Sequence, residues 1–207
     1  MTFVWVLDES KFLNIDEIKK LRIYCKKQIT KKARLKLNIR DWFLIELLLN
    51  TGLRVQEVAD LKCGDLLIKK NQSSIVVRHG KGGRKRIVRI NTKFKQACIF
   101  YLKWKYNHNE YTNENAPLFC NKKGKHLSKR TFQSDFKKLV LKAGLPVHYS
   151  IHSVRHTYAS FLLRASRNIR LIQKQLGHSR ITTTEVYADV MNEELEKALG
   201  HLYEDSY

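Results

Sequence analysis

Residues 74–90 read Ser74-Ile-Val-Val-Arg-His79-Gly-Lys81-Gly-Gly-Arg-Lys-Arg86-Ile-Val-Arg-Ile90. Two β-branched runs, Ser74 to His79 and Arg84 to Ile90, flank a Gly80-Lys81-Gly82-Gly83 connection. Branching at Cβ favours extended backbone, and two such runs joined by a glycine-rich link predict a β-hairpin. Its turn would present Lys81 at the tip, between glycines that permit close approach of something bulky. A lysine in such a place is also what plain solvation would produce.

On both sides of this hairpin the pattern is helical. Upstream, Ile15, Ile18, Leu21 and Ile23 recur among lysines over 15–32, and Asp41 to Leu49 is strongly apolar before the stop signal Asn50-Thr51-Gly52. A further helix is expected from about Leu53, carrying Val55, Val58, Ala59 and Leu61 on one side. Downstream, helices are predicted over Thr92–Tyr106, Ser128–Ala143 with Gly144 as its stop, and Ser153–Ala165. Ile169, Ile172 and Leu176 form an apolar stripe that Gly177 ends, and Thr182-Thr-Thr-Glu185 fits a capping box for a helix carrying Tyr187. Beyond it Met191, Leu195, Ala198, Leu199 and Leu202 stand at helical spacing. The fold class expected is mainly α with a small antiparallel sheet. Residues 1–190 would form one domain and 191–207 a helical tail, since no linker or repeat divides the chain.

Composition narrows the function classes. The chain has 207 residues, 43% of them hydrophobic, enough for a core and too many for wholesale disorder. Forty Lys and Arg against 19 Asp and Glu leave a formal charge of +21, which attracts polyanions and, through counterion release, nucleic acid above others. Cys25, Cys63, Cys98 and Cys120 are scattered, without the spacing of a zinc knuckle or a disulfide framework, so reduced thiols are expected. The N-terminal apolar run is too short for a signal peptide. The longest apolar stretch, Trp42 to Leu49, falls far short of a bilayer span and contains Glu46. These features predict a cytoplasmic, nucleoid-associated protein with no membrane partner.

Taken singly, the polar residues have plain readings. Arg54 could form a surface ion pair with Glu57 three residues on, and His152 and Arg155 could share one basic helix face. Tyr187 could simply be packing. Their order is more informative: Thr51-Gly-Leu-Arg54-Val-Gln-Glu57-Val-Ala-Asp-Leu61, then His79-Gly-Lys81-Gly-Gly-Arg-Lys-Arg86, then His152-Ser-Val-Arg155-His156-Thr-Tyr-Ala159, then Leu176-Gly-His178-Ser-Arg-Ile-Thr-Thr-Thr-Glu-Val-Tyr187. This series closely resembles the tyrosine recombinase (phage integrase) family, especially its Xer-like branch, over roughly residues 38–190.

The resemblance implies a fold, a reaction and a residue set. Tyr187 would attack a DNA phosphodiester to give a 3′-phosphotyrosyl link, and strand exchange and religation would follow without metal or nucleotide cofactor. Arg54 and Arg155 would clamp the scissile phosphate, a task suited to a planar, permanently charged fork. Lys81 would protonate the departing 5′ oxygen, His152 would act in acid–base and phosphate contact, and His178 would donate to a non-bridging oxygen. Glu57 would support Arg54 or a histidine. If the helix bearing Arg155 is capped by Ser153 or its neighbour, its free N–H groups would share the phosphate's surroundings. His156 is left outside the catalytic set, as packing against its own helix explains it equally well.

Departures from the family pattern bear on partners more than on chemistry. The first arginine block arrives at residue 51, so the family's separate N-terminal DNA-embracing domain is expected to be absent, the chain being either a fragment or similar to short, single-domain members such as fimbrial invertases. Arg89-Ile90 stands where family members commonly carry a proline after the second strand. The resemblance further implies double-stranded DNA as partner and a homo-oligomer (a tetramer on DNA) in which the tail docks on a neighbour, with room for accessory DNA-binding proteins; the tail's spacing fits folding back on its own core equally well. A type IB-like topoisomerase or a non-catalytic DNA-binding regulator of the same fold are the alternative functions.

Overall fold

The computed structural model describes residues 12–78, 80 and 85–177. Lys81, His178 and Tyr187, the expected helix after Thr182 and the tail lie outside these residues. In the described chain three helices, three short strands and four further helices follow one another: α1 (Ile15–Gln28), α2 (Leu35–Thr51), α3 (Val55–Asp60), β1 (Leu66–Leu67), β2 (Ser74–Val77), β3 (Arg86–Arg89), α4 (Thr92–Asn107), α5 (Lys129–Lys142), α6 (Ile151–Ser166) and α7 (Ile169–Leu176). A 3₁₀ turn, Cys63–Asp65, leads into β1.

Helix α2 is the structural axis because it is apolar on nearly every side. Phe43, Leu44, Leu47 and Leu48 are fully buried, and α1, α4 and α6 all pack on it. Phe43 stacks on Tyr101 of α4 with centroids 4.0 Å apart, and Phe119 and Phe94 close the same aromatic cluster. At the periphery of this core Arg40 bridges Asp41 and Asp135, joining α2 to α5, and Arg22 of α1 meets Glu46 of α2.

Helix α1 starts on a full capping box: Asn14 accepts from the Asp16 and Glu17 amides, while Glu17 accepts from the Asn14 amide at 2.9 Å. The Leu13 amide donates to Thr157 Oγ1 at 2.9 Å, and the Tyr149 hydroxyl donates to Glu17, so α1 is pinned to the start of α6. The expected hairpin is present. β2 and β3 pair antiparallel with Ile75 opposite Val88 and Val77 opposite Arg86. β1, which sequence periodicity does not reveal in two residues, adds to the other edge with Leu66 opposite Ile75.

Boundaries differ from expectation where local packing overrides pattern. Helix α1 stops at Gln28, four residues early, with Ile29 at its C-cap. Helix α2 begins at Leu35, six residues before the apolar run, and buries Ile39 on the way in. Helix α3 begins at Val55, because Leu53 is drawn into the core by the turn at Gly52 and leaves Arg54 as the N-cap. Helix α6 begins at Ile151 and is capped by Ser150, whose hydroxyl accepts from the Ser153 amide; Ser153 is inside the helix. Among the described residues no helix is long and apolar enough to cross a membrane. The four cysteines are free; Cys25, Cys63 and Cys98 are buried.

Candidate active site

The site is built around the turn between α2 and α3. Thr51 ends α2 by returning its hydroxyl to the Leu47 carbonyl at 2.6 Å. Gly52 follows in the left-handed region at φ 59°, where its bare Cα sits against Tyr158 and Leu176; a Cβ there would lie 2.5 Å from the Tyr158 ring. This glycine therefore satisfies both a backbone requirement and a close approach between α2, α6 and α7. Its carbonyl is left pointing at Arg155, which donates to it at 2.6 Å.

One residue later, Arg54 becomes the N-cap of α3, which places Glu57 at the third helical position. From there the Glu57 carboxylate reaches back to the Arg54 amide at 2.8 Å and to Arg54 Nη1 at 3.0 Å. The anticipated Arg54–Glu57 pair is thus real, but it is not a surface pair: Glu57 is only 4% exposed. Two more arginines surround the same carboxylate. Arg86, from the first position of β3, grips both oxygens at 2.7 and 2.8 Å, and Arg155 Nη1 stands 3.9 Å away. Nothing in the linear order singles Arg86 out among the six Lys and Arg of 78–89. The signal it does carry is the strand period, which puts Arg86 on the same face of β3 as buried Val88.

The electrostatics follow from this crowding. Burial on its own would push Glu57 up, but the Arg86 fork, the Arg54 amide and the Arg155 charge outweigh it and hold the carboxyl below its ordinary value. Among the described residues, three guanidiniums around one carboxylate leave two positive charges in excess, in a place largely withdrawn from water. Such a cluster is complementary to a further anion, and most of all to one on which charge accumulates.

Helix α6 supplies the remaining described residues. His152 lies exposed in its first turn, and Arg155 is buried one turn on. Arg155 spans the site: besides the Gly52 carbonyl it donates to the Leu176 carbonyl at 2.9 Å, the last residue of α7. Half-buried His156 is held below the ordinary histidine value by burial, then by the nearby His152 and Arg155 charges.

The structure therefore brings Arg54, Glu57 and Arg155 into one cluster and sets His152 on the helix that carries Arg155. Lys81 falls outside the described residues, though β3, which follows its turn, enters the cluster through Arg86. His178 also falls outside, yet Leu176 and Gly177 just before it touch Arg155 and Arg86. Tyr187 is likewise outside. Among the described residues no group of three or more His, Cys, Asp or Glu is placed to hold a metal ion. A separate apolar groove of about 930 Å³ runs between α1, β3, α6 and α7, lined by Ile15, Ile87, Phe161 and Leu171 together with Arg22 and Lys174.

Comparison with known proteins agrees with this geometry. Residues 11–194 match the model of the phage integrase family. The chain is 34% identical over 201 residues to tyrosine recombinase XerD of Rickettsia bellii (strain RML369-C), covering 92% of this chain and 63% of that protein. It superposes on the crystal structure of XerA recombinase with a TM-score of 0.73 at 28% identity, over 92% of this chain and 65% of that one. The corresponding values for XerH site-specific recombinase bound to palindromic difH substrate, a post-cleavage complex, are 0.76 and 26%, over 93% and 53%. The chain spans between about half and two-thirds of the length of the curated relatives it matches.

Proposed function

The chain belongs to the phage integrase family, and from that premise we propose that it is a site-specific DNA recombinase with Tyr187 as its nucleophile. The observation that carries the reading is the Glu57-centred cluster, in which Arg54 and Arg155 converge with two positive charges in excess. In the proposed reaction the Tyr187 hydroxyl passes its proton to His152 as its oxygen bonds to the scissile phosphorus, and the bond to the 5′ oxygen breaks. Lys81 gives its proton to that departing oxygen. Arg54 and Arg155, with His152 and His178, bind the non-bridging oxygens and stabilise the charge gathered there in the transition state. The phosphotyrosyl link keeps the phosphodiester's free energy, so attack by the 5′ hydroxyl of another strand restores DNA without a nucleotide cofactor. Fixed cations take the part that a divalent metal plays in many nucleases, and cleavage is expected to resist EDTA.

Double-stranded DNA is the proposed substrate. The charge of +21 supports it, and the related XerH is seen bound to its difH substrate. The proposed organisation is a catalytic domain over 1–190 and a helical tail over 191–207 that docks on a neighbouring protomer, giving a tetramer on DNA. The groove beside β3 and α7 supports this: it is apolar with Arg22 and Lys174 in its lining, and the tail carries apolar residues at helical spacing with Glu193, Glu194 and Glu196. A cytoplasmic, nucleoid-associated setting goes with this reading, and accessory DNA-binding proteins remain part of it.

The test uses the full chain, nicked DNA fragments from around its own gene, and no added metal. SDS-resistant protein–DNA adducts that form in EDTA and vanish in Tyr187→Phe are the expected result. Adducts that persist in Tyr187→Phe, or cleavage abolished by EDTA, would overturn it. Exchange between two sites separates recombination from mere relaxation of supercoils.

A further inference from the structure

Three arginines meet Glu57, and the reaction described above employs only two of them. We propose that Arg86 is a positioning residue for this centre: it saturates Glu57, ties the foot of the Lys81 hairpin to the end of the helix that precedes His178, and so keeps Arg54 and Arg155 available to a phosphate. The inference rests on the reading of the cluster as a strand-cleavage centre.

The first part follows from the acceptor capacity of a carboxylate, about four lone-pair sites. Glu57 Oε1 accepts from Arg54 Nη1 and Arg86 Nη1, and Oε2 accepts from the Arg54 amide and Arg86 Nη2. All four sites are filled, two of them by Arg86. Arg155 consequently stays 3.9 Å away, held by carbonyls and not closed into a fork with Glu57. Without Arg86, two lone pairs of a buried carboxylate would be unsatisfied, and among the described residues the donors beside it are Arg54 and Arg155 themselves. A guanidinium captured by Glu57 is turned away from a phosphate.

The second part is geometric. Arg86 Nε donates to the Gln175 carbonyl at 3.2 Å, and its side chain lies on Gly177 so closely that a Cβ there would be 2.7 Å from Arg86 Cδ. Further along β3 the Gln175 amide group accepts from the Arg89 N–H at 3.1 Å and donates to the Arg89 carbonyl at 2.6 Å, pairing with the strand as a neighbouring strand would. Arg86 and Gln175 together make one seam between β3 and α7. The two segments that lead to Lys81 and His178 are therefore set in register through the same side chain that neutralises Glu57.

The experiment measures the first-order rate of adduct formation at saturating nicked DNA, and DNA affinity separately, for wild type, Arg86→Gln, Arg86→Lys, Glu57→Gln and the double variant Glu57→Gln/Arg86→Gln. Arg86→Gln is expected to slow adduct formation roughly 100-fold while affinity changes by less than about threefold, because surface lysines and arginines dominate affinity. Arg86→Lys, which keeps the charge and loses the fork, should recover about tenfold of that loss. On the Glu57→Gln background Arg86→Gln should slow the reaction little further, because the carboxylate that captures the other arginines is already gone. Equal rates for wild type and Arg86→Gln would overturn the inference alone, as would losses that multiply independently in the double variant. No adduct from wild type would overturn the functional reading and this inference with it.

Discussion

Replacing Glu57 by Gln removes one negative charge from the centre of the site and leaves the shape intact. Its side chain is 3% exposed, and those of Arg54, Arg86 and Arg155 are 25%, 10% and 7% exposed. Glutamine offers one oxygen where the carboxylate offers two. Its NH₂ must face a guanidinium N–H, so at least two of four hydrogen bonds are lost and three cations lose the anion they share. Breaking a buried pair from one side costs about 3–5 kcal/mol, and the partial exposure of Arg54 places this case near the lower end, about 3 kcal/mol. For a chain of this size each kcal/mol lowers Tm by about 2–4 °C, so a fall of about 6–12 °C is expected. The pH dependence has a definite sign. Glu57 is held below its ordinary value of 4.5, so its stabilisation is complete above that value and disappears as pH falls through the lowered folded value. The gap between wild type and variant should be constant from neutral pH to about pH 5 and close only at more acid pH. Thermal melts followed by circular dichroism across that range measure it. A gap below about 2 °C at neutral pH, or one already narrowing above pH 6, would refute the account of Glu57 as a buried anion shared by three arginines.

Gly52→Ala should cost at least about 2 kcal/mol in urea denaturation, combining about 1–2 kcal/mol of left-handed strain with the Tyr158 clash, and should also slow adduct formation by moving the carbonyl that holds Arg155. A neutral outcome would contradict the turn geometry. His152→Gln separates chemistry from folding: the exposed side chain should alter stability by less than about 0.5 kcal/mol, yet adduct formation should fall on the order of 100-fold. A stability loss of the same size as the activity loss would count against His152 as a catalytic group. Burial pushes Cys25 and Cys98 up to about 12, so a thiol-alkylating reagent should leave both untouched in the native protein and modify half-buried Cys120 first. Mass spectrometry of the alkylated chain reads the order directly.

Much of the architecture was open to reading from the chain alone, because backbone state is a local property. The period of the apolar residues marked the seven described helices, the β-branched runs around a glycine-rich link marked the hairpin, and glycines at 52, 144 and 177 marked stops, each of them at positive φ in the structure. The order of the four polar blocks pointed to the family before any geometry was known, and Arg54, Glu57 and Arg155 do meet. Packing decided the rest. Where α2 begins and where α3 starts depended on which side chains, Ile39 and Leu53, the core would accept. The short strand β1 exists only because β2 offers it an edge. Above all, the role of Glu57 as a buried anion ringed by three arginines could not be seen in sequence. Its partner Arg86 is 29 residues away, and Arg155 and the Gly52 carbonyl that holds it are 103 apart. A charged side chain's environment is set by what folds against it, and periodicity carries no information about that.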